Sequence, residues 1–219
     1  MISVIKVVES AIAARDPYTA QHQRRVAQVA VDTASEMGLS KDRLQTLWMA
    51  AIIHDLGKIA IPAEILAKPS RLTNIEFSLI KEHPEVACSI LKPIKFPNQM
   101  TTMILQHHER VNGTGYPCAL KGREIILEAK ILAVADVFEA MSSHRPYRPS
   151  LGIERTSDEL FRNKGILYDG EVVEACLRVC GDNSGSRTCN RLQRLFSAME
   201  DMADYPIAAI SPAVGFGFH

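Results

Sequence analysis

A chain of 219 residues that is 47% hydrophobic, with 25 basic and 25 acidic side chains, can fill one proper core and carry a short appendage. Its zero net charge excludes a global field that recruits a nucleic-acid polymer or an anionic membrane, so any phosphate must be met by a local site. Apolar runs too short for a bilayer, no visible signal peptide, and five cysteines lacking a Cys-x-x-Cys spacing together predict a cytoplasmic protein with reduced thiols.

Taken in order, the apolar spacing predicts an almost wholly helical chain. Val4, Val7, Val8, Ala11 and Ile12 mark a first helix over about 2–15. Asp16-Pro17 breaks it and starts a second, over about 19–37, which Gly38 stops. On that second helix His22 shares a face with Val26, Val29 and Ala30 and should point inward. Ser40 is expected to cap a third helix, whose Leu44, Leu47, Trp48 and Ala51 lead down to His54-Asp55.

There an apolar run ends in an imidazole beside a carboxylate, with Lys58 one turn later. Burying a carboxylate is costly unless a cation or strong donors compensate it. A neutral nitrogen next to an anionic oxygen suits a divalent metal. The bland alternative for such a pair is a capped helix end, and the rest of the chain decides between them.

Gly57 and Pro62 mark a loop, and Thr73-x-x-Glu76 is a capping box opening another helix. His83 precedes Pro84 and is expected as a cap-like residue at the mouth of a helix with Val86, Ile90 and Leu91. After a turn at 93–97, Met100, Met103 and Ile104 lead to His107-His108-Glu109 and then to the Gly-rich loop 111–117. The helix over about 128–142 is apolar nearly all round, so it is buried, and Asp136 in its middle needs a partner. Arg145-Pro-Tyr147-Arg148 forms a rigid basic loop. Two more helices follow near 153–163 and 169–180. Any one of the histidines would more often be a satisfied core or cap residue; five of them together with Asp55 and Asp136 are harder to dismiss.

These residues resemble, in order, the HD superfamily of metal-dependent phosphohydrolases. His54-Asp55-Leu56-Gly57-Lys58 is similar to that family's H-D-x-G-K. His107-His108-Glu109, followed by Gly113, Gly115, Tyr116 and Pro117, resembles the signature of its HD-GYP subfamily. The resemblance runs over about 13–177. It implies an all-α HD-domain helical bundle with a metal cluster in its core and a Gly-Tyr-Pro loop at the site. The activity it implies is hydrolysis of cyclic di-GMP to linear pGpG and onward to GMP.

Residue by residue, the resemblance implies that His22, His54, Asp55, His83, His107, His108 and Asp136 bind metal, with Asp55 bridging. The ions would be two divalent ones, iron or manganese. It implies catalytic roles for Asp55 and Lys58, and contacts from Tyr116, Arg145 and Arg148 to the cyclic dinucleotide. Asn112 and His144 each stand where the family usually has Asp, and Tyr18 stands where three-metal members carry a Glu ligand.

The rival from another class is a catalytically weak sensor, or a docking module for diguanylate cyclases (GGDEF proteins). Degeneracy usually shows as lost ligands, and every two-metal ligand is present. Family members usually carry a receiver or sensor module, so a separate regulator is an expected partner if the chain is whole. The expected division is a catalytic domain over 1–180 and a linker and tail over 181–219. In the tail Leu192, Leu195, Phe196, Met199 and Met202 fall at helical spacing. That stripe would dock on its own domain or on a second copy in a homodimer.

Overall fold

The computed structural model describes residues 2–68, 70–97, 99–144 and 150–181. Among these residues the chain is helical, with only isolated bridges between Asn112 and Lys121 and between Lys164 and Tyr168. The helices are α1 (Ile2–Arg15), α2 (Pro17–Glu36), α3 (Lys41–Ile53), α4 (Ala63–Leu66), α5 (Asn74–Lys81), α6 (His83–Leu91), α7 (Met100–Gln106), α8 (Leu127–Ser142), α9 (Gly152–Arg162) and α10 (Gly170–Gly181). Short 3-10 turns fall at Leu56–Ala60 and Gly122–Glu124. None of the described helices is long and apolar enough to cross a membrane.

Local chemistry sets several ends as expected. The Asp16 side chain accepts from the backbone N–H groups of Tyr18 and Thr19 and so caps α2, while Gly38 leaves it at a φ of 77°. Thr73 and Glu76 form the full reciprocal capping box on α5. Ser40 departs from expectation: it holds the position before α3 with extended backbone, but its side chain makes no capping bond. Burial of Leu47 and of the run Met49 to Ile53 holds that helix instead. His83 departs too. It is the first residue of α6 rather than its cap, and Glu82 alone separates α5 from α6.

α2 lies at the centre and packs on α1, α3, α8 and α10. Its Val26, Ala27 and Ala30 meet a core of Leu47, Ala50, Ile53, Met103, Ile104, Ile131, Leu132, Val172 and Val173. Small residues on α2 let its neighbours approach closely, which brings the end of α3 and the middle of α8 to the same place. α6 lies on the Leu56–Ala60 turn and on α7, closing the cluster from the other side.

Gly57 proves to be a close-approach position rather than a loop marker. A Cβ there would lie 1.9 Å from the His83 carbonyl oxygen and 2.8 Å from the Ala87 nitrogen, both of them backbone. Gly57→Ala should therefore push the turn off α6 and cost about 1–3 kcal/mol. The melting temperature should fall by roughly 5 °C. An unchanged melting curve would show that the contact is not tight.

Residues 145–149, which include Arg145 and Arg148, and residues 182–219, which include the predicted amphipathic tail, lie outside the described residues.

Candidate metal centre

Five segments bring the seven expected ligands together. α2 brings His22, and the end of α3 brings His54 and then Asp55. α6 opens on His83, the end of α7 gives His107 and His108, and the middle of α8 gives Asp136. They fall into two groups, Asp55–His83–His107–His108 and His22–His54–Asp136, each with ligand atoms within 4.8 Å of one another. Asp55 touches both. Its Oδ1 lies 3.3 Å from His83 Nε2, and its Oδ2 lies 3.5 Å from His54 Nε2. Asp136 Oδ1 sits 3.1 Å from His22 Nε2 and 4.0 Å from His54 Nε2. This is the partner that Asp136 required on its buried helix.

The ring orientations are fixed by backbone. His54, His83 and His107 each turn Nδ1 to the carbonyl three residues earlier, Ala51 at 2.7 Å, Ile80 at 2.7 Å and Ile104 at 2.6 Å. Donation from Nδ1 leaves the Nε2 lone pair directed at the centre. His54 Nε2 and Asp55 Oδ1 are buried and have no hydrogen-bond partner. Orphaned acceptors of this kind are rare in native proteins and costly. Two unpartnered buried acceptors, one a neutral nitrogen and one an anionic oxygen, make a donor set that fits a divalent metal.

The electrostatics agree. Burial depresses His83 to about 4 and His108 to about 3, and drives His107 well below its usual value, so all three are neutral ligands at neutral pH. Burial opposes ionisation of Asp55, yet its pKa stays well below the usual carboxylate value, and the Lys58 ammonium is foremost among the groups that hold it there. Burial also opposes a charge on His22, yet Asp136 and Glu139 raise it to about 9. Two carboxylates facing one imidazole thus favour positive charge at this position.

Sequence reasoning missed four supporting groups. Glu139, one turn beyond Asp136, pairs with His22 Nδ1 and with Arg25 Nε, so His22 is clamped from behind by an ion pair. An acidic residue at i+3 on a buried helix was the available signal. Gln23, with its amide set to satisfy both neighbours, donates to the Ile52 carbonyl at 2.9 Å and accepts from the Asp55 N–H at 3.3 Å. Glu109 is buried and accepts from the backbone N–H groups of Cys118 at 2.7 Å and Leu120 at 2.9 Å, folding the Gly-rich loop back on the cluster. Gly115 allows that fold, since a Cβ would lie 2.4 Å from Arg110 N and from Glu109 Cα.

Tyr116 is thereby laid on His108, ring centroids 4.6 Å apart and 28° from parallel. Asn112 supports the same loop by accepting from Thr114 N–H and Oγ1–H, a role its amide oxygen fills without the usual Asp charge. Lys58 Nζ lies 2.6 Å from Asp55 Oδ2 with its side chain 29% exposed, so it reaches from the cluster toward the open side.

The sequence profile of the HD domain family matches residues 6–172, a span holding every candidate ligand above. This chain belongs to the HD domain family. The HD domain here is 39% identical over 183 residues to the cyclic di-GMP phosphodiesterase response regulator RpfG of Xanthomonas campestris pv. campestris, covering 80% of this chain and 48% of RpfG. It is 33% identical over 153 residues to the 3'3'-cGAMP-specific phosphodiesterase 1 of Vibrio cholerae, covering 70% of this chain and 36% of that protein. In fold it is similar to an HDG"Y"P protein of Bdellovibrio bacteriovorus, with a TM-score of 0.62 at 18% identity over 73% of this chain and 51% of that one. The HD domain chain spans half or less of the length of these curated relatives.

Proposed function

We propose that this HD domain hydrolyses a phosphodiester bond of cyclic di-GMP, opening the ring to linear pGpG and cleaving that product onward to GMP more slowly. The observation that carries this reading is Asp55, whose two oxygens face two separate ligand groups. A shared carboxylate between two cation sites is the arrangement that phosphodiester hydrolysis uses to hold the attacking and leaving sides together. The names of the relatives add support, since both are cyclic dinucleotide phosphodiesterases. The 39% match favours cyclic di-GMP as substrate.

His22, His54 and Asp136 would hold one ion and His83, His107 and His108 the other, with Asp55 common to both; iron or manganese fits the mixed imidazole and carboxylate set. Bound there, such ions supply positive charge to the phosphate and acidify a water for attack. Lys58 fixes Asp55 and, from its half-open position, donates to a phosphate oxygen or to the leaving ribose oxygen. Tyr116, stacked on His108, would contact the dinucleotide. Arg145 and Arg148 would bind the dinucleotide, their planar forks matching phosphate or a guanine edge.

Two ions, rather than three, is supported by Tyr18. Its hydroxyl donates to the His144 carbonyl at 2.8 Å, and a phenol that keeps its proton is a poor ligand for a hard cation. Metal analysis of anaerobically purified protein, run beside a time course of product chromatography, tests the whole reading. Two ions per chain and a lag of linear dinucleotide before GMP are expected. Three tightly bound ions, or GMP appearing without a lag, would overturn the count. A fully loaded protein with no turnover would leave the docking module as the reading.

A further inference from the structure

α5 is an unusual helix for its position. It buries none of its residues, and its start is pinned by the Thr73–Glu76 capping box and by Lys68, whose Nζ lies 2.7 Å from Glu76 Oε2. A lone exposed phenylalanine on such a helix would mean little. Phe77, 45% exposed, is not alone. Its ring meets Tyr116 edge to face with centroids 6.4 Å apart, and Tyr116 in turn stacks on the ligand His108. The Lys81 ammonium stands 4.8 Å from the Phe77 centroid and 6.0 Å from that of Tyr116. A row of rings therefore leads out of the ligand cluster, from His108 through Tyr116 to Phe77, and ends in a half-exposed ring with the Lys81 ammonium over it.

An aromatic face held by its own helix is a platform for a base, because every nucleobase offers a π-face for stacking. The Lys81 ammonium over that ring, on a flexible stem with three donors, can yield the ring to a base and pair with the phosphate that the base carries. A small diester has no use for either group; a purine nucleotide uses both. We propose that Phe77 and Lys81 form an outer subsite for one purine nucleotide unit of the substrate, Phe77 stacking the base and Lys81 pairing with its phosphate. This rests on the cyclic dinucleotide reading for its biological meaning, and the physical test does not depend on it.

Calorimetric titration of the metal-loaded chain with GMP and, separately, with inorganic phosphate reads the subsite directly. Phe77→Ala should weaken GMP about tenfold while phosphate binding shifts by less than about twofold. Phe77→Trp should restore GMP affinity, and Lys81→Met should weaken GMP several-fold. In parallel, the ratio of kcat/KM for cyclic di-GMP to that for bis(p-nitrophenyl) phosphate should fall about tenfold in Phe77→Ala. Equal weakening of GMP and phosphate would reduce Phe77 to a prop for Tyr116 and overturn the subsite. So would no change in either, which would turn the exposed face of α5 toward a protein partner. If the wild-type chain binds GMP as described but leaves cyclic di-GMP intact, the proposed substrate fails and the subsite stands.

Discussion

Asp55→Ala is expected to lower hydrolysis of cyclic di-GMP by at least about a thousandfold and to strip metal from the chain. Asp55 has one oxygen 3.3 Å from His83 Nε2 and the other 3.5 Å from His54 Nε2, so its loss removes a carboxylate shared by the two groups. His83 and His107 would lose the anion beside them while their Nε2 atoms are only 3.3 Å apart. Lys58 would also lose its partner. Being 29% exposed, it can return to water, so the chain should stay folded. Asp55→Asn separates charge from shape, keeping the side chain's size while removing the anion. Metal content, turnover and the thermal melt should be measured on both variants. An Asp55→Asn protein with wild-type metal content and wild-type turnover would sink the shared-carboxylate reading.

The second large effect is expected at a residue with no place in the motifs. Glu139→Ala takes the clamp from behind His22, leaving its Nδ1 without the carboxylate that orients it. Supporting carboxylates on metal-ligating histidines are typically worth 10–100-fold in metal affinity. The structural cost should be about 1–3 kcal/mol, below that of a fully buried pair, because the Arg25 side chain is 36% exposed and can be rehydrated. Glu139→Gln keeps one acceptor oxygen and should lose less of both. Competition with a chelator gives the affinity, and the melting curve gives the stability. Unchanged affinity in Glu139→Ala would mean that Asp136 alone positions His22.

The two variants differ in what the sequence could announce. Asp55 stood out because an apolar run ended on it, and the order of His22, His54-Asp55, His107-His108 and Asp136 carried the family with it. The helices were equally legible, since caps such as Asp16 and Thr73 and the apolar spacing around Val26 or Ile131 act within a turn or two of chain. His22 was correctly expected to point inward for the same local reason.

Partnership is another matter, because it depends on which helices cross and how closely. Nothing within a turn of His22 could say that Glu139 would lie behind it, since α2 and α8 meet only after the chain has folded around the α3 end. Gly57 looked like a loop residue because its need for space comes from the His83 carbonyl, which another helix supplies. Ser40 and His83 were each assigned a capping role from position alone, while burial of α3 and the near-continuity of α5 and α6 settled those ends differently. Nothing in the sequence marks Phe77, because its contact with Tyr116 exists only once Glu109 has folded the Gly-rich loop back. The sequence by itself determined the helices and which candidate ligands they carry, through interactions that act along the chain. Only the packing decided the two groups, the shared position of Asp55 and the residues standing behind the ligands, because those contacts exist between side chains far apart in sequence.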